Sequence, residues 1–393
     1  MEKQLLHTPE GVRDIYNGEC EERLIIEDCI HKVFKSYGYS DIMTPSFEFF
    51  DVFNKDRGSV AANNMYKFFD RDNNTMVMRP DITPGIARCA AKYFENETAP
   101  LRLCYMGNTF INNSKYQGRL KENTQAGCEF IGDSSATADA EMIALLVESI
   151  LSTGLKEFQV EVGHVGFFDG IAAEAGLSEE AVREMKEIIR NKNLFSIETL
   201  LDKENVADEY KDLFYRLPQM FGDASILEDA AGMTGNSTAL NAINHLKRVY
   251  ELLTVYGFEK YVTFDLGVLS ELDYYTGVIF KAYTYEVGEP IANGGRYDRL
   301  IGQFGSDKAS IGFGITVDLL HLAIMRQEIE IKRVAKPKLI VSGEDNLNKA
   351  IRLAGAMRAQ GISAVVSDKA YNNDKYDEII EINEDILERY GIK

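Results

Sequence analysis

The sequence predicts an α+β fold that contains a helical insertion and ends in a small C-terminal α/β unit. Short strand-like runs joined by polar loops occupy the first part of the chain, helical patterns follow one another from about Phe167 to Val249, and a strand–helix–strand pattern begins near residue 337. A chain of 393 residues, 45% of them hydrophobic, can bury a large core. Its length alone is consistent with about two or three domains.

The first predicted element is an amphipathic helix. Its apolar residues recur at helical spacing, namely Leu24, Ile25, Cys29, Val33 and Phe34. Gly38 can end this helix, because glycine readily adopts the left-handed conformation that follows many helices. The run YSDIMTP then extends toward Pro45, and proline suits only the end or the edge of a strand.

Strand-like runs follow this helix. The segment MYKFFDRDNNTMVMRPDITP predicts a hairpin whose turn is at 70–74 and whose second strand is Met76-Val77-Met78. The runs LRLCYMGNTF and NTQAGCEFIG predict two further strands, which the polar loop INNSKYQGRLKE joins. A helix is expected next, at about residues 138 to 151.

Helices dominate the middle of the chain, at about 167–249, which we interpret as a helical insertion. In GLSEEAVREMKEIIRNKN, Ser178 can cap a helix whose apolar face contains Val182, Met185 and Ile189. Strands return with YVTFDLGVL, GVIFKAYTY and ASIGFGIT, and a helix ends this region near residue 327. The predicted core therefore spans residues 1–330.

A separate unit is predicted at 337–393, after the run KRVAKPK. Its pattern indicates a strand at 339–342, a helix at 345–360 that Gly361 stops, a strand at 362–367 and an acidic tail. A βαβ unit of about 57 residues is small for an independent domain.

The charge balance argues against a nucleic-acid partner. Acidic residues number 62 and basic residues 43, which gives a net charge of −19. A protein that neutralises many phosphates needs the opposite balance, so tRNA is not an expected partner. We also expect a cytoplasmic protein with no membrane partner, because no run approaches the roughly 18 apolar residues of a membrane span and no signal-peptide pattern opens the chain.

Sequence motifs for metals, cofactors and covalent catalysis are missing. The five cysteines form no CxxC pair and the five histidines no HExxH motif, so we expect reduced thiols and neither a metal nor a cofactor. The run NGGRYDRLIGQFG has neither the P-loop lysine nor GxGxxG spacing, and Gly294-Gly295 is interpreted as a tight turn lining a pocket. No GxSxG motif is present.

Short polar groups within strand-like runs predict a ligand pocket instead. The set comprises Asp81, Thr83, Gln125, Glu129, Asp273, Tyr274 and Tyr275. Alternate residues of a strand share a face, so Gln125, Gly127 and Glu129 would point the same way, with room above the glycine. Taken singly, such residues are more often edge, ion-pair or core residues. Together they offer what the ammonium and ring N–H of an amino acid such as histidine need.

A series of motifs resembles the histidyl-tRNA synthetase family. In order, these are TPEGVRDI, the helix and strand ending at Pro45, RPDIT, GRLKENTQAGCEFIG, LDYYTG, NGGRYDRL and IGFGI. They span roughly residues 7 to 327 apart from the helical insertion. The resemblance implies a class II aminoacyl-tRNA synthetase-like core, an antiparallel sheet flanked by helices. It also implies that the segment through Pro45 corresponds to the dimer-forming first motif.

Three arginines of that family are replaced. The second motif has Ile111 where the synthetases have the arginine of Phe-Arg-x-Glu. The histidine-specific motif has Ser270 where they have the arginine of Arg-Gly-Leu-Asp-Tyr-Tyr. In the third motif Leu319 stands at the arginine of Gly-Leu-Glu-Arg. By resemblance these arginines grip the ATP phosphates and the reacting carboxylate, so their replacement removes the charge that adenylate formation needs.

The residues that resemble the histidine-contacting set are largely kept. They are Asp81, in place of the family's glutamate, Thr83, Gln125, Glu129, Tyr274 and Tyr275. By resemblance, Glu129 and Tyr275 would address the imidazole, while Asp81 and Gln125 would face the amino group. Asp81 is one methylene shorter than glutamate, and Ser270 leaves the ligand's carboxylate without its usual partner.

A histidyl-tRNA synthetase core without these arginines, with RPDIT and with a C-terminal unit shorter than an anticodon-binding domain, resembles the regulatory subunits of ATP phosphoribosyltransferase. The resemblance implies a protein that is not itself an enzyme. It implies activation of a short-form catalytic subunit of ATP phosphoribosyltransferase at the first step of histidine biosynthesis, with histidine as a feedback ligand. A homodimer within a hetero-oligomer is also implied.

Two other functions are consistent with the same residues. A divergent histidyl-tRNA synthetase would exchange pyrophosphate in the presence of histidine, although the lost arginines and the acidic balance argue against it. A free-standing histidine sensor would bind histidine and ignore the transferase. Only a test with the partner separates this sensor from a regulatory subunit.

Overall fold

We analysed a computed structural model of the chain, which describes residues 6–53, 60–113, 120–190, 193–267, 274–371 and 374–392. The chain forms two compact units, Met1–Ile331 and Lys332–Lys393. In the described residues, no helix is both long enough and apolar enough to cross a membrane.

The strands of the first unit are β1 (Ser40–Asp41), β2 (Phe47–Phe49), β3 (Lys67–Phe69), β4 (Thr75–Met78), β5 (Leu101–Phe110), β6 (Glu122–Ile131), β7 (Phe158–His164), β8 (Phe221–Gly222), β9 (Val262–Asp265), β10 (Val278–Thr284), β11 (Ala292–Arg296) and β12 (Ser310–Thr316). Its helices are α1 (Asn17–Ser36), α2 (Thr83–Tyr93), α3 (Ala136–Ser152), α4 (Val165–Glu174), α5 (Glu179–Arg190), α6 (Leu194–Lys203), α7 (Asp208–Arg216), α8 (Ser225–Gly232), α9 (Ser237–Tyr256) and α10 (Val317–Arg326).

Nine strands of the described chain form one sheet, in the order β1-β5-β6-β12-β11-β10-β7-β9-β8. The central neighbours, from β5 to β7 in this order, are antiparallel. The pairs β1–β5 and β7–β9 are parallel. The predicted antiparallel sheet flanked by helices is thus confirmed, with parallel pairing added toward its two edges.

The two faces of the sheet pack against different helices. One face, the helix face, contributes Cys104, Ala126 and Cys128 to the main hydrophobic core, which also includes residues of α1, α3, α9 and α10. The opposite face, the pocket face, packs Leu103 and Tyr105 against Ile82, which precedes α2, and Ile86 of α2. Because side chains alternate along a strand, successive residues of β5 enter different cores.

The predicted hairpin is present as β3 and β4, which pair antiparallel and belong to a small second sheet of order β2-β4-β3. Its turn is held by Asp70, whose Oδ1 accepts the backbone N–H of Asp72 at 2.9 Å and of Asn74 at 2.8 Å. Asn73 takes the left-handed conformation with φ of 60°. The polar residues of DRDNN therefore bend the chain as the sequence indicates.

Gly294 and Gly295 are not in a tight turn, so that interpretation is wrong. They lie within β11, between β10 and β12. A Cβ at Gly294 would overlap the ring of Phe280, and one at Gly295 would lie 2.7 Å from the ring of Tyr275. Glycine is needed here because large side chains of neighbouring elements cross the strand. The strand β7 was also missed, although it pairs along its whole length with β10.

Helices α4 to α9 and the short strand β8 occupy the segment in which the helical pattern was found. The cap predicted for α5 is confirmed, because Oγ of Ser178 accepts the backbone N–H of Ala181 at 3.1 Å. Met185 and Ile189 of this helix are buried in the main core, as their spacing predicts.

The second unit contains β13 (Lys338–Val341), α11 (Leu347–Ala359), β14 (Ala364–Ser367), β15 (Ile379–Glu381) and α12 (Glu384–Arg389). Its strands are parallel, in the order β14-β13-β15. The segment after β14 is acidic, as expected, but it also contains β15 and α12, which the sequence analysis did not predict. Ile380 and Leu387 bury their side chains in the core of this unit, and Asn383 caps α12 by accepting the N–H of Ile386 at 2.9 Å.

Candidate functional site

Glycines open a space on the pocket face of β6 and β12. In the antiparallel register, Gly312 lies opposite Glu129 and Gly314 lies opposite Gly127. A Cβ at Gly312 would overlap the carboxylate of Glu129, and one at Gly314 would overlap the amide of Gln125. The missing side chains let two long polar side chains of β6 lie flat along the sheet.

Glu129 lies at the centre of this space and is fully buried. Its Oε1 accepts a hydrogen bond from the hydroxyl of Thr83 at 2.6 Å, and its Oε2 accepts one from the hydroxyl of Tyr297. Burial raises the pKa of Glu129 to about 8, although both hydrogen bonds oppose this shift, and the negative charge of Asp81 adds to it. At neutral pH this carboxyl group is largely protonated, so it can donate as well as accept.

The RPDIT segment brings Asp81 and Thr83 to Glu129 at the start of α2. Oδ1 of Asp81 accepts the backbone N–H of Ile82 at 2.7 Å, so one carboxylate oxygen fixes the turn into the helix. Asp81 is 8% exposed. Thr83 is the first residue of α2, and its hydroxyl points to Glu129 rather than to the helix backbone.

Three tyrosines line the side of the pocket beside Glu129. The rings of Tyr274 and Tyr275 meet edge to face with their centroids 4.9 Å apart, and those of Tyr274 and Tyr297 are 6.1 Å apart. Burial raises the pKa of the Tyr275 phenol, so it stays neutral and keeps its hydroxyl proton. Neutral phenols can both donate to and accept from a small polar ligand.

Gln125 completes the predicted set on the same face of β6. Its Oε1 is buried, and none of the described residues donates a hydrogen bond to it. A buried oxygen without a donor is uncommon in folded proteins and marks a place for a ligand or water. The structure therefore brings together the predicted site residues Asp81, Thr83, Gln125, Glu129, Tyr274 and Tyr275. Asp273 and Ser270 lie outside the described residues.

Tyr297 was missed by sequence reasoning, although it belongs to the motif NGGRYDRL. It follows the strand β11 and is 3% exposed. A tyrosine two positions after a glycine pair gives no local sign of its partner, because Glu129 lies 168 residues earlier in the chain. Only the order β6-β12-β11 in the sheet places the two side chains together.

A buried ion pair holds the turn that positions the tyrosines. Arg296 donates from Nε to Oδ1 of Asp139 at 3.0 Å, and its carbonyl oxygen accepts the backbone N–H of Thr276 at 2.7 Å. Asp139 is fully buried and also bonds His245 at 2.6 Å. Arg296 thus links α3 to the segment Tyr275–Gly277 at the edge of the pocket.

The two described positions of the lost arginines, 111 and 319, carry no cation. Leu319 lies on α10 and packs against the main core, and the backbone of Ile111 bonds Lys121 at 2.9 Å. The neighbouring Asp318 accepts hydrogen bonds from Arg23 at 2.8 Å and from the backbone N–H of Thr124 at 2.7 Å. The contacts of Asp318 with Arg23 and Thr124 lie on the helix face, and none of them places a cation at position 111 or 319.

A cavity of about 390 Å³ lies beside this ion pair, but it is not the predicted site. Thr124 and Glu122 line it from the face of β6 opposite to Gln125 and Glu129. Its two arginines are paired, Arg23 with Asp318 and Arg13 with Glu19. The charges that line it therefore stabilise the fold at the N-terminus of α1.

Three potential metal ligands also lie close together away from the pocket. Nε2 of His31, Oδ1 of Asp41 and Sγ of Cys104 all lie within 4.8 Å of one another. His31 and Asp41 are hydrogen-bonded at 2.6 Å, Lys35 occupies the other oxygen of Asp41 at 2.9 Å, and burial raises the pKa of the Cys104 thiol to about 12. Because metals bind the thiolate, these features favour a hydrogen-bonded cluster over a metal centre.

Comparison with known proteins identifies the family to which this fold belongs. The chain matches the family model described as histidyl-tRNA synthetase over residues 11–320. The histidyl-tRNA synthetase of Nostoc sp. PCC 7120 shares the fold, with a TM-score of 0.79 at 19% identity, covering 98% of this chain and 90% of that one. The fold and the site therefore define a histidyl-tRNA synthetase-like protein built on the class II synthetase core.

Two relatives define the family more narrowly. The ATP phosphoribosyltransferase regulatory subunit of Acetivibrio thermocellus is 38% identical over 361 residues, which are 92% of this chain and 86% of that protein. A solved structure from Bacillus halodurans C, described as an ATP phosphoribosyltransferase regulatory subunit/histidyl-tRNA synthetase, matches with a TM-score of 0.87 at 29% identity, covering 96% of this chain and 98% of that one. The chain belongs to the family of ATP phosphoribosyltransferase regulatory subunits, as its sequence predicts.

Proposed function

We propose that the chain is a non-catalytic subunit that activates a short-form catalytic subunit of ATP phosphoribosyltransferase in the cytoplasm and makes it sensitive to histidine. The observation that carries this proposal is the combination of a kept amino-acid pocket with lost phosphate contacts. Glu129, Thr83 and Tyr275 lie together, whereas Ile111 and Leu319 occupy the arginine positions. Such a pocket can recognise a ligand but offers little stabilisation to a reacting phosphate.

Histidine is the proposed ligand of this pocket. Glu129 and Tyr275 would bind its imidazole, while Asp81 and Gln125 would bind its ammonium group. The unpaired oxygen of Gln125 supports this orientation, because it needs a donor such as N–H. The protonated state of Glu129 supports it as well, since a neutral carboxyl group can donate to one imidazole nitrogen.

Reconstitution with the catalytic subunit tests the function. We expect that adding this chain to a short-form ATP phosphoribosyltransferase raises the rate of phosphoribosyl transfer and that histidine then lowers it. Glu129→Gln should keep the activation but shift the histidine inhibition curve to about tenfold to hundredfold higher concentration, because an amide is a weaker hydrogen-bond partner for the imidazole than a carboxyl group that can share or transfer its proton. The readout is a histidine titration of the assembled complex.

The matched control is Glu122→Gln, the other glutamate of β6, whose side chain bonds Asn108 at 2.7 Å. This variant should leave both activation and inhibition unchanged. No activation by the wild-type chain would refute the regulatory function and favour a free-standing sensor. Activation with superimposable inhibition curves for wild type and Glu129→Gln would place the feedback site elsewhere.

A homodimer is the second part of the proposal, and an apolar sheet face supports it. On the small sheet β2-β4-β3, the residues Phe47, Phe49, Phe68, Met76 and Met78 share one face by their register. Phe47, Phe49 and Phe68 are 58%, 53% and 40% exposed, whereas Val77 on the opposite face is fully buried. Three exposed phenylalanines on the two outer strands of one small sheet are typical of an interface. Strand β2 of this face directly follows, in the sequence, the segment through Pro45 that resembles the family's dimer-forming motif.

Charge placed on this apolar face should separate the subunits. We expect the wild-type chain to sediment as a dimer and Phe49→Glu to raise the dimer dissociation constant at least about a hundredfold, because two-fold symmetry repeats each unpaired charge. Sedimentation velocity over a range of concentrations measures this. Phe195→Glu, at an 89% exposed position of α6, is the control and should stay dimeric. A dimer dissociation constant that Phe49→Glu leaves unchanged would show that the interface lies on another surface.

A further inference from the structure

Arg79 is a buried guanidinium that lacks an acidic partner. It follows β4, is 7% exposed, and forms no ion pair with any carboxylate of the described residues. Its Nε donates to the carbonyl of Asn108 at 2.7 Å, and its Nη1 donates to the carbonyl of Thr44 at 2.8 Å. Both acceptors are neutral, so the positive charge is not balanced by these contacts.

The third nitrogen of this guanidinium lies on the pocket face. A Cβ at Gly107 would overlap Nη2 of Arg79, which places that atom directly above the glycine. No acceptor among the described residues forms a hydrogen bond with Nη2. Two fixed bonds at Nε and Nη1 therefore orient a planar group whose remaining donors face the sheet surface.

The register of β5 and β6 connects Arg79 to the amino-acid pocket. Gly107 lies directly opposite Gln125, and facing residues of an antiparallel pair have their Cβ positions about 5 Å apart. Gln125 leans away from Arg79 toward Gly314 on β12. Gly107, Gly127 and Gly314 carry no side chains of their own on this face, and the ring of Tyr105 lies above Gly127. Nη2 of Arg79 and the buried oxygen of Gln125 therefore lie on one face of the sheet together with this ring.

Burial without a counter-ion is unfavourable for Arg79. Desolvation lowers the pKa of its guanidinium, and no described carboxylate offsets the cost. A carboxylate beside Nη2 would form a charge-assisted hydrogen bond and remove this cost. The uncharged residues at 111 and 319 cannot do the same, and position 270 is a serine.

We propose that Arg79 binds the carboxylate of the amino-acid ligand through Nη2, in place of the arginines that this chain has lost. Arg79 then determines specificity, because the pocket selects an amino acid over an amine or alcohol with the same ring. The proposal rests on the proposed function in one respect, the binding of histidine to the pocket on β6.

Comparing the affinities of the wild type and of Arg79→Gln for two ligands, histidine and histidinol, tests this role. Histidine and histidinol share the imidazole and the ammonium group, but histidinol has a hydroxymethyl group in place of the carboxylate. By isothermal titration calorimetry, the wild-type chain should bind histidine at least about tenfold more tightly than histidinol. In Arg79→Gln this ratio should fall to about one, whereas Arg79→Lys should retain part of it.

The ratio separates ligand contact from structural damage. Loss of the bonds to Asn108 and Thr44 would weaken the binding of both ligands alike. This effect would cancel in the ratio of the two affinities, as in a double-mutant cycle. The matched control is Arg102→Gln, on the same strand as Gly107 but paired with Glu141 of α3 at 3.0 Å, and it should keep the wild-type ratio. Gly107→Ala should also lower the ratio of histidine to histidinol affinity, because its side chain displaces the guanidinium without removing it. This variant replaces Arg79→Gln in the test if Arg79→Gln does not fold.

The outcomes distinguish this proposal from the one on which it rests. Histidine binding with a ratio near one in the wild type, or with a ratio that Arg79→Gln leaves unchanged, would overturn the role of Arg79 alone. Failure of the wild-type chain to bind either ligand would overturn the histidine pocket and this role together.

Discussion

Replacing Glu129 with glutamine should stabilise the folded chain, and the gain should grow as the pH rises from about 5 to about 8. The pKa of this carboxyl group is raised from its usual 4.5 to about 8 by burial. Between these values the folded state holds a proton that the unfolded state has lost. The contribution of Glu129 to the free energy of unfolding of the wild type therefore falls with pH across this window, with a slope approaching about 1.4 kcal/mol per pH unit.

Glutamine does not titrate, so Glu129→Gln removes this loss and still accepts the hydrogen bond from Thr83 at 2.6 Å in the wild type. Urea denaturation of both chains at several pH values from about 5 to about 8 measures the difference. Glu122→Gln is the control, because Glu122 is partly exposed on the same strand. Parallel stability profiles for wild type and Glu129→Gln would show that Glu129 ionises normally in the folded chain.

The purified chain should show no histidine-dependent exchange between ATP and pyrophosphate above background. Adenylate formation requires cations at the transferring phosphates, and each such contact in a dry site contributes on the order of several kcal/mol. Leu319 packs in the main core and Ile111 follows β5, so neither position offers a cation. We expect the rate to lie at least about four orders of magnitude below that of a histidyl-tRNA synthetase.

A histidyl-tRNA synthetase assayed under the same conditions is the positive control for this measurement. Histidine binding to the chain should be measured on the same preparation, so that inactivity is not the result of unfolding. Exchange at a rate within about tenfold of the synthetase would contradict the proposed function and favour a divergent synthetase.

Local patterns in the sequence identified most elements of the fold. The helical spacing that starts at Leu24 corresponds to α1, and DRDNN forms the hairpin turn between β3 and β4. Alternation predicted that Gln125, Gly127 and Glu129 share a face, and the register with β12 agrees. These features were accessible because each depends on residues that are neighbours in the chain.

The glycine-rich strand β11 and the strand–helix end of the chain were missed for a physical reason. Gly294 and Gly295 have low strand propensity, and the extended form is held by pairing with β10 and β12, while the rings of Phe280 and Tyr275 occupy the space that side chains would need. In the second unit, Ile379-Ile380 is too short a run to indicate a strand by itself. Pairing with β13 stabilises it.

The sequence by itself determined the family, the order of the motifs and the chemical inventory of the pocket, because these depend on residue types at set spacings. Tertiary structure decided how the inventory works. It joins Glu129 to Thr83 across 46 residues and to Tyr297 across 168, and it places Arg79 above Gly107. The pKa of about 8 for Glu129 likewise comes from burial. Strand order and register set these contacts and this burial, and they depend on the whole packed core rather than on any local pattern.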